Sequence, residues 1–177
     1  MLCRLLFAVG LALTAWVNYA ETPVQTVVLS DEAGKAQYMF PLKPGERFTV
    51  RFLHSWARSP VEEVFVVEDG ILKLKETVYE DFGAGLPHEP EHSGSLMVVE
   101  NGKIYVRDID RPVPNLQIRV GRLVANHELI HPSPNAKIEK NKTIPFSRFA
   151  QPGSVVVFDV RPMERYALWT LKKQEVE

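Results

Sequence analysis

The sequence predicts an all-β fold, either a single-domain antiparallel β-sandwich or a partly closed barrel. Short segments rich in valine, isoleucine, phenylalanine and tyrosine recur along the chain with turn residues between them. Thirteen prolines interrupt the chain, and no long segment has apolar residues at helical spacing. Asp69-Gly70 and Asn101-Gly102 each separate two strand-like runs by two residues that tolerate positive φ, which is typical of tight hairpins.

The first 20 residues have the layout of a secretory signal peptide. Arg4 precedes an apolar run over residues 5–16, and Ala20 offers a small residue at a cleavage point. The run is shorter than the ~20 apolar residues of a membrane-spanning helix, so an uncleaved N-terminal membrane anchor is the alternative. We therefore expect a periplasmic or secreted protein in which residues 21–177 form a single all-β domain. Since Cys3 lies in the leader, this domain would depend on a hydrophobic core rather than on disulfides.

Eleven segments after the leader are predicted strands, because each combines β-branched and aromatic residues with flanking turn residues. They are residues 25–29, 37–40, 47–55, 61–68, 71–79, 96–100, 103–107, 116–120, 136–139, 154–160 and 166–171.

The charge pattern restricts the classes of partner. The chain has 21 basic and 22 acidic residues, and no basic run could follow a phosphate backbone. This argues against a nucleic-acid partner. No second apolar stretch has the length of a membrane span, so no transmembrane segment is expected after the leader.

One charged residue breaks an apolar strand face. Alternation places Phe52 toward the core. His54, two residues later, lies on the same face. In the next strand Phe65 lies on the core face, and Glu63 interrupts that face. Pairing Phe52 with Phe65, and Val50 with Val67, would set Glu63 opposite His54.

The Asp69-Gly70 turn predicts the next register, because a two-residue hairpin pairs Glu68 with Ile71 and so brings Glu76 opposite Glu63. His54, Glu63 and Glu76 would then lie side by side with β-carbons ~5 Å apart. Such a set is costly to bury unless the groups pair, share a proton or bind a ligand. A satisfied ion pair at the rim of the sandwich is the alternative, and a β-bulge would separate the three groups.

A glycine-rich run, Asp81-Phe82-Gly83-Ala84-Gly85-Leu86-Pro87, follows the last of these strands. Gly83 and Gly85 permit positive φ, so the loop could present amide hydrogens to an anionic ligand, or could simply form a tight corner. Together with the strand cluster, this predicts a ligand-binding site. Its candidate residues are His54, Ser55, Glu63, Glu76, Asp81, Phe82, Gly83 and Gly85.

Two histidine segments have spacings that occur in metal sites, but neither is sufficient to predict a metal site here. His127 and His131 have the His-Glu-x-x-His spacing of zinc proteases, which brings two histidines together only on a helix. Pro132 disfavours helix and the segment is strand-like, so the two rings would lie apart. His88 and His92 lie in a proline-rich loop that is typical of solvated surface. No metal ligand and no cofactor is assigned.

Several motifs are similar to those of a known family. They are His54-Ser55, residues 60–65, the Phe82 to Pro87 run, residues 116–121 and residues 152–157. The chain resembles the bacterial family called Domain of Unknown Function 1850. The resemblance implies an exported protein, from a family often encoded beside tripartite periplasmic transporters of the TAXI type, and it brings no catalytic assignment.

These observations favour a small-ligand-binding or accessory module, with a transporter component or a small organic acid as partner. No complete catalytic set is recognisable, because Ser55 and His54 would point to opposite faces of a strand. A metal-dependent or histidine and glutamate hydrolase, and a purely structural partner-binding protein, are the alternatives.

Overall fold

The computed structural model describes residues 14–17, 19, 23–55, 57–80, 94–122, 126–133 and 140–165. Residues 14–17 are helical, and twelve β-strands and one short 3-10 helix follow in the described ranges. The strands are β1 Pro23–Ser30, β2 Ala36–Pro41, β3 Arg47–Leu53, β4 Pro60–Glu68, β5 Ile71–Tyr79, β6 Leu96–Glu100, β7 Lys103–Arg107, β8 Arg111–Pro112, β9 Leu116–Arg119, β10 Glu128–Pro132, β11 Asn141–Pro145 and β12 Val155–Glu164, with the 3-10 helix at Phe146–Arg148.

The strands form two antiparallel sheets. Sheet A has the order β2-β1-β12-β9, and sheet B has the order β11-β10-β3-β4-β5-β7-β6 with β8 paired to β5. The predicted all-β sandwich is thus confirmed, and of the two architectures expected it is the sandwich that forms. None of the helical residues described belongs to a helix with the length and apolar content of a membrane span.

The two predicted hairpins are confirmed. Asp69 and Gly70 have φ of 52° and 74°, and Asn101 and Gly102 have φ of 51° and 75°. Positive φ at both central residues gives the turn a twist that matches the flanking strands. Each dipeptide therefore joins its two strands, β4 to β5 and β6 to β7, without a gap in the pairing.

Aromatic side chains from both sheets fill the space between them. The ring of Phe48 in sheet B lies 5.4 Å from that of Phe40 and 6.0 Å from that of Phe158, both in sheet A, and 5.2 Å from its neighbour Phe65. All four rings are almost fully buried. Such ring pairs stabilise a core by about 0.5–1.5 kcal/mol each beyond the area they bury.

Nine of the predicted strands match strands of the structure. The predicted strands at residues 136–139 and 166–171 lie outside the described residues. The list of predicted strands omits three. They are β8, which is two residues long and contains Pro112, β11, which is polar, ends in Pro145 and pairs only with β10, and β10 itself, whose segment is strand-like in sequence. Short or proline-containing edge strands lack the alternation that identifies a strand.

Candidate functional site

The pairing of β3 with β4 differs from the predicted register. Val50 pairs with Glu63, and Phe52 pairs with Val61, so the predicted opposition of His54 and Glu63 is wrong. The cause is an earlier turn. The His54 amide donates to the Ser59 carbonyl at 2.9 Å, and its carbonyl accepts the Arg58 amide at 2.8 Å, which ends β3 at Leu53.

His54 and Ser55 belong to this turn rather than to a strand face. His54 Nδ1 accepts the backbone N–H of Ala57 at 3.2 Å, and Ser55 is exposed. Since Val50 is the residue opposite Glu63, His54 lies four residues further along the chain, or about 13 Å at the rise of a strand. The imidazole of His54 therefore supports the turn and does not reach the Glu63 carboxyl through the sheet.

A β-bulge separates Glu63 from Glu76. Phe65 pairs with Leu74 and Val64 with Glu76, so Lys75 is an extra residue in β5. Glu76 consequently points to the outer face, where its Oε2 lies 3.3 Å from Nε of Arg107. The predicted opposition of Glu63 and Glu76 is wrong because a single inserted residue reverses the side-chain alternation beyond it.

Tertiary contacts hold this bulge in place. The carbonyl of Lys75 accepts the backbone N–H of Ile109 at 3.1 Å, and its ammonium lies 2.8 Å from Oε1 of Glu68 and also contacts Asp110. These partners lie seven or more residues away in sequence. The local pattern of β5 therefore carries no signal of the bulge.

Glu63 itself lies where alternation predicts, on the core face of sheet B. Its cross-strand neighbours are Val50, which is fully buried, and Thr77, which is half-buried. On its own strand the next residues on that face, Val61 and Phe65, are 2% and 1% exposed. A carboxyl group thus interrupts an apolar surface, while part of the side chain still reaches solvent.

Burial raises the pKa of the Glu63 carboxyl above its ordinary value, and the positive charge of Arg111 opposes part of this rise. Arg111 comes from β8, where it pairs with Leu74, which in turn pairs with Phe65. In the described ranges no ion pair within 4 Å involves Glu63. Because desolvation outweighs the nearby positive charge, this carboxyl takes up a proton more readily than an ordinary glutamate.

The glycine-rich segment follows β5, the strand whose Thr77 pairs with Glu63. Thr77 lies opposite Glu63, and Tyr79 two residues later is the last residue of β5. Asp81, Phe82, Gly83 and Gly85 lie outside the described residues, as do His88 and His92. Their predicted contribution to a site stays a prediction.

The His-Glu-x-x-His segment is a strand, as the sequence indicates. His127 precedes β10 and His131 lies within it, so the rings are four residues or about 13 Å apart along the strand. The Glu128 carboxylate points away from both and accepts a hydrogen bond from Arg51 Nε at 2.8 Å. Within the described ranges no three histidine, cysteine, aspartate or glutamate side chains lie close enough together to hold a metal ion.

His131 instead joins the two sheets. Its ring stacks on Phe40 at 4.3 Å, and its Nε2 lies 2.9 Å from the hydroxyl of Tyr38 in sheet A. Nδ1 lies 2.9 Å from the carbonyl of Pro132, which only accepts. In the neutral ring Nδ1 therefore carries the hydrogen, and Nε2 accepts the Tyr38 O–H.

The structure thus defines an antiparallel β-sandwich with a desolvated carboxyl on the inner face of its larger sheet. A family model described as "Domain of unknown function (DUF1850)" matches residues 48–138, and the chain belongs to this family. The matched stretch includes both Glu63 and Arg111. No curated protein and no solved structure matches the chain.

Proposed function

We propose that the protein is an exported small-ligand-binding module that holds a small organic acid at Glu63 and serves as an accessory of a TAXI-type tripartite transporter. The observation that carries the proposal is the position of Glu63, an acidic side chain among buried apolar residues of the core face. Burying a carboxyl costs free energy unless a hydrogen bond or a charged partner compensates it. Binding a ligand would offset that cost.

The chemistry of the site suits a carboxylate. A protonated Glu63 would donate a hydrogen bond to a carboxylate oxygen of the ligand, and the Arg111 guanidinium would supply the positive charge. The Asp81 to Gly85 segment, through the amides of Phe82, Gly83 and Gly85, is the proposed second contact. The proposed site leaves out His54 and Ser55, which belong to the turn after β3, and Glu76, which contacts Arg107 on the outer face.

Export and the transporter connection rest on other features. The leader of residues 1–20 supports export, and the resemblance to the DUF1850 family supports the transporter context. Capture of the protein from its native host, followed by identification of the co-purified chains, tests this part. Recovery of a transporter subunit supports it, and recovery of no membrane component contradicts it.

Isothermal titration calorimetry with succinate, malate and glutamate tests the ligand site. We expect one acid to bind, more tightly at pH 5.5 than at pH 7.5, because protonation of Glu63 favours the complex. Glu63→Gln should keep most of the affinity, since the amide also donates a hydrogen bond, whereas Arg111→Gln should weaken binding about tenfold or more. Arg47→Gln is the matched control, because Arg47 is an exposed arginine of the same sheet.

Two results would contradict the ligand proposal. One is the absence of binding by any acid at millimolar concentration. The other is equal affinity of Arg111→Gln and the Arg47→Gln control. The hydrolase alternative would need a histidine beside Glu63, and the described residues place His54 four residues, or about 13 Å, along the strand from the position opposite Glu63.

A further inference from the structure

The strands at the edges of the two sheets differ in how they are protected from pairing with another strand. They are β2 and β9 in sheet A, and β11 and β6 in sheet B. An edge strand presents unpaired backbone groups, and a charged residue, a proline or a bulge commonly blocks the addition of a further strand. β2 has a bulge in its pairing with β1 and ends at Pro41, β9 ends at the exposed Arg119, and β11 contains Lys142 and Pro145.

β6 carries no such protection along its length. Its sequence is Leu-Met-Val-Val-Glu, and its pairing with β7 is regular over all five residues. Leu96 and Val99 are 59% and 66% exposed. Within the described ranges no strand pairs with its second side. A regular, apolar edge strand of this kind is a template for another strand.

The Asn101-Gly102 turn determines which backbone groups of β6 are unpaired. In a two-residue hairpin the residues that flank the turn, here Glu100 and Lys103, exchange both backbone hydrogen bonds. Hydrogen bonding then alternates along the strand, so the N–H and C=O groups of Met97 and Val99 point away from β7. Each copy of β6 therefore offers two donors and two acceptors to another strand.

The exposed side chains lie on both faces of β6. Val99 pairs with the buried Ile104 on the inner face, whereas Leu96 pairs with Arg107 on the outer face. Because Val99 is two-thirds exposed, the core does not extend over the end of β6. A strand added at this edge covers apolar side chains on both faces.

The charges around β6 favour an antiparallel copy of the same strand. Glu100 is the one charged residue of β6 and lies at its end, while Arg107 pairs with Leu96 at the other end. A parallel copy would bring two Glu100 carboxylates side by side. An antiparallel copy separates them by about 13 Å along the strands and places each one opposite Leu96, about 10 Å from Arg107 across two strand spacings. Opposite charges at this distance still attract at moderate ionic strength.

We propose that β6 pairs with β6 of a second copy of this chain, antiparallel about a two-fold axis at Val98, so that two copies of sheet B form one continuous sheet. This register pairs all five residues of β6. Met97 lies opposite Val99 of the partner subunit, and their outward N–H and C=O groups form the new hydrogen bonds. Val98 lies opposite Val98 of the partner subunit on the outer face, an apolar pair of the kind that stabilises neighbouring strands.

The interface is small and separate from the ligand site. Five paired residues on each copy bury little surface, so the dimer is weak and exchanges with the monomer. β6 lies three strands from β4, the strand that carries Glu63. Dimer formation is therefore independent of organic-acid binding.

Sedimentation velocity of the purified protein, from micromolar to millimolar concentration, tests the association. The dimer fraction should rise with concentration, and Val99→Lys should weaken association at least tenfold, because a lysine at an edge blocks strand addition. Ile71→Lys is the matched control, since Ile71 is 44% exposed but belongs to β5, an interior strand. Val99→Pro removes only an outward N–H, so it should stop association and leave the far-UV circular dichroism unchanged.

Cysteine cross-linking tests the register. The background is Cys3→Ser, which removes the single cysteine of the chain. Val98→Cys should form an intermolecular disulfide on mild oxidation, because the two residues face each other at the axis with Cα atoms about 4.5 Å apart. Glu100→Cys should cross-link at least tenfold more slowly, because its two copies lie beyond the reach of a disulfide.

The proposal is overturned if the protein stays monomeric at millimolar concentration. It is also overturned if Ile71→Lys weakens association as much as Val99→Lys does. Cross-linking of Glu100→Cys as fast as that of Val98→Cys contradicts the antiparallel pairing and overturns it as well.

Discussion

Replacement of Tyr38 by phenylalanine tests the connection between the two sheets. The change removes one oxygen and keeps the ring that packs on Phe40 and Phe149. It deletes the 2.9 Å hydrogen bond to His131, a residue only 3% exposed. Loss of one partner from a buried hydrogen bond costs about 1–3 kcal/mol, more than the loss of an exposed one, because water cannot replace it.

Urea unfolding followed by tryptophan fluorescence measures this cost. For a chain of this size each kcal/mol corresponds to about 2–4 °C in the melting temperature, which gives an independent reading. Tyr105→Phe is the control, because Tyr105 lies on the outer face of sheet B and is partly exposed.

A double-mutant cycle with His131→Leu then isolates the pair. Tyr38→Phe should cost less in the His131→Leu background than in the unmodified protein. The interpretation fails if Tyr38→Phe costs no more than Tyr105→Phe, or if the cost is the same in both backgrounds.

Three further outcomes are expected. Burial raises the folded-state pKa of Glu63, so its contribution to stability is present below the ordinary glutamate pKa and is lost as pH rises through the raised value. In urea unfolding, Glu63→Gln should therefore be more stable than the unmodified protein at pH 7.5 but not at pH 4. An equal difference in stability at both pH values contradicts this. Gly153→Ala should lower the free energy of unfolding by about 1–2 kcal/mol for its φ of 88°, and further because the added Cβ displaces Arg122. It should therefore be less stable than Gly45→Ala, where φ is 79° and the added Cβ meets open space. Equal stability of the two variants argues against the Arg122 contact. Arg107→Gln should cost less than about 1 kcal/mol, because its ion pairs lie at the surface, and a larger loss would show that they are effectively buried.

The fold follows from local features of the sequence. Two-residue turns such as Asp69-Gly70 set both the reversal and the pairing of their strands, and the alternation around Phe65 identifies the core face. For a longer connection between two strands, the sequence does not indicate where the first strand ends. The turn that begins at His54 ended β3 earlier than its apolar pattern indicated, and this shifted the pairing with β4.

The candidate site was predictable only in part. Alternation alone places Glu63 on the inner face. The displacement of Glu76 depends on the Lys75 bulge, which contacts from Ile109 stabilise, and the approach of Arg111 depends on a two-residue strand.

The carboxyl resonance of Glu63, followed by ¹³C NMR as a function of pH, tests the central claim most directly. The desolvated inner-face position predicts a pKa above that of an ordinary glutamate. Addition of a bound organic acid should raise it further, because the ligand carboxylate favours the protonated form. An ordinary pKa that no acid in the panel changes would contradict the proposed ligand site.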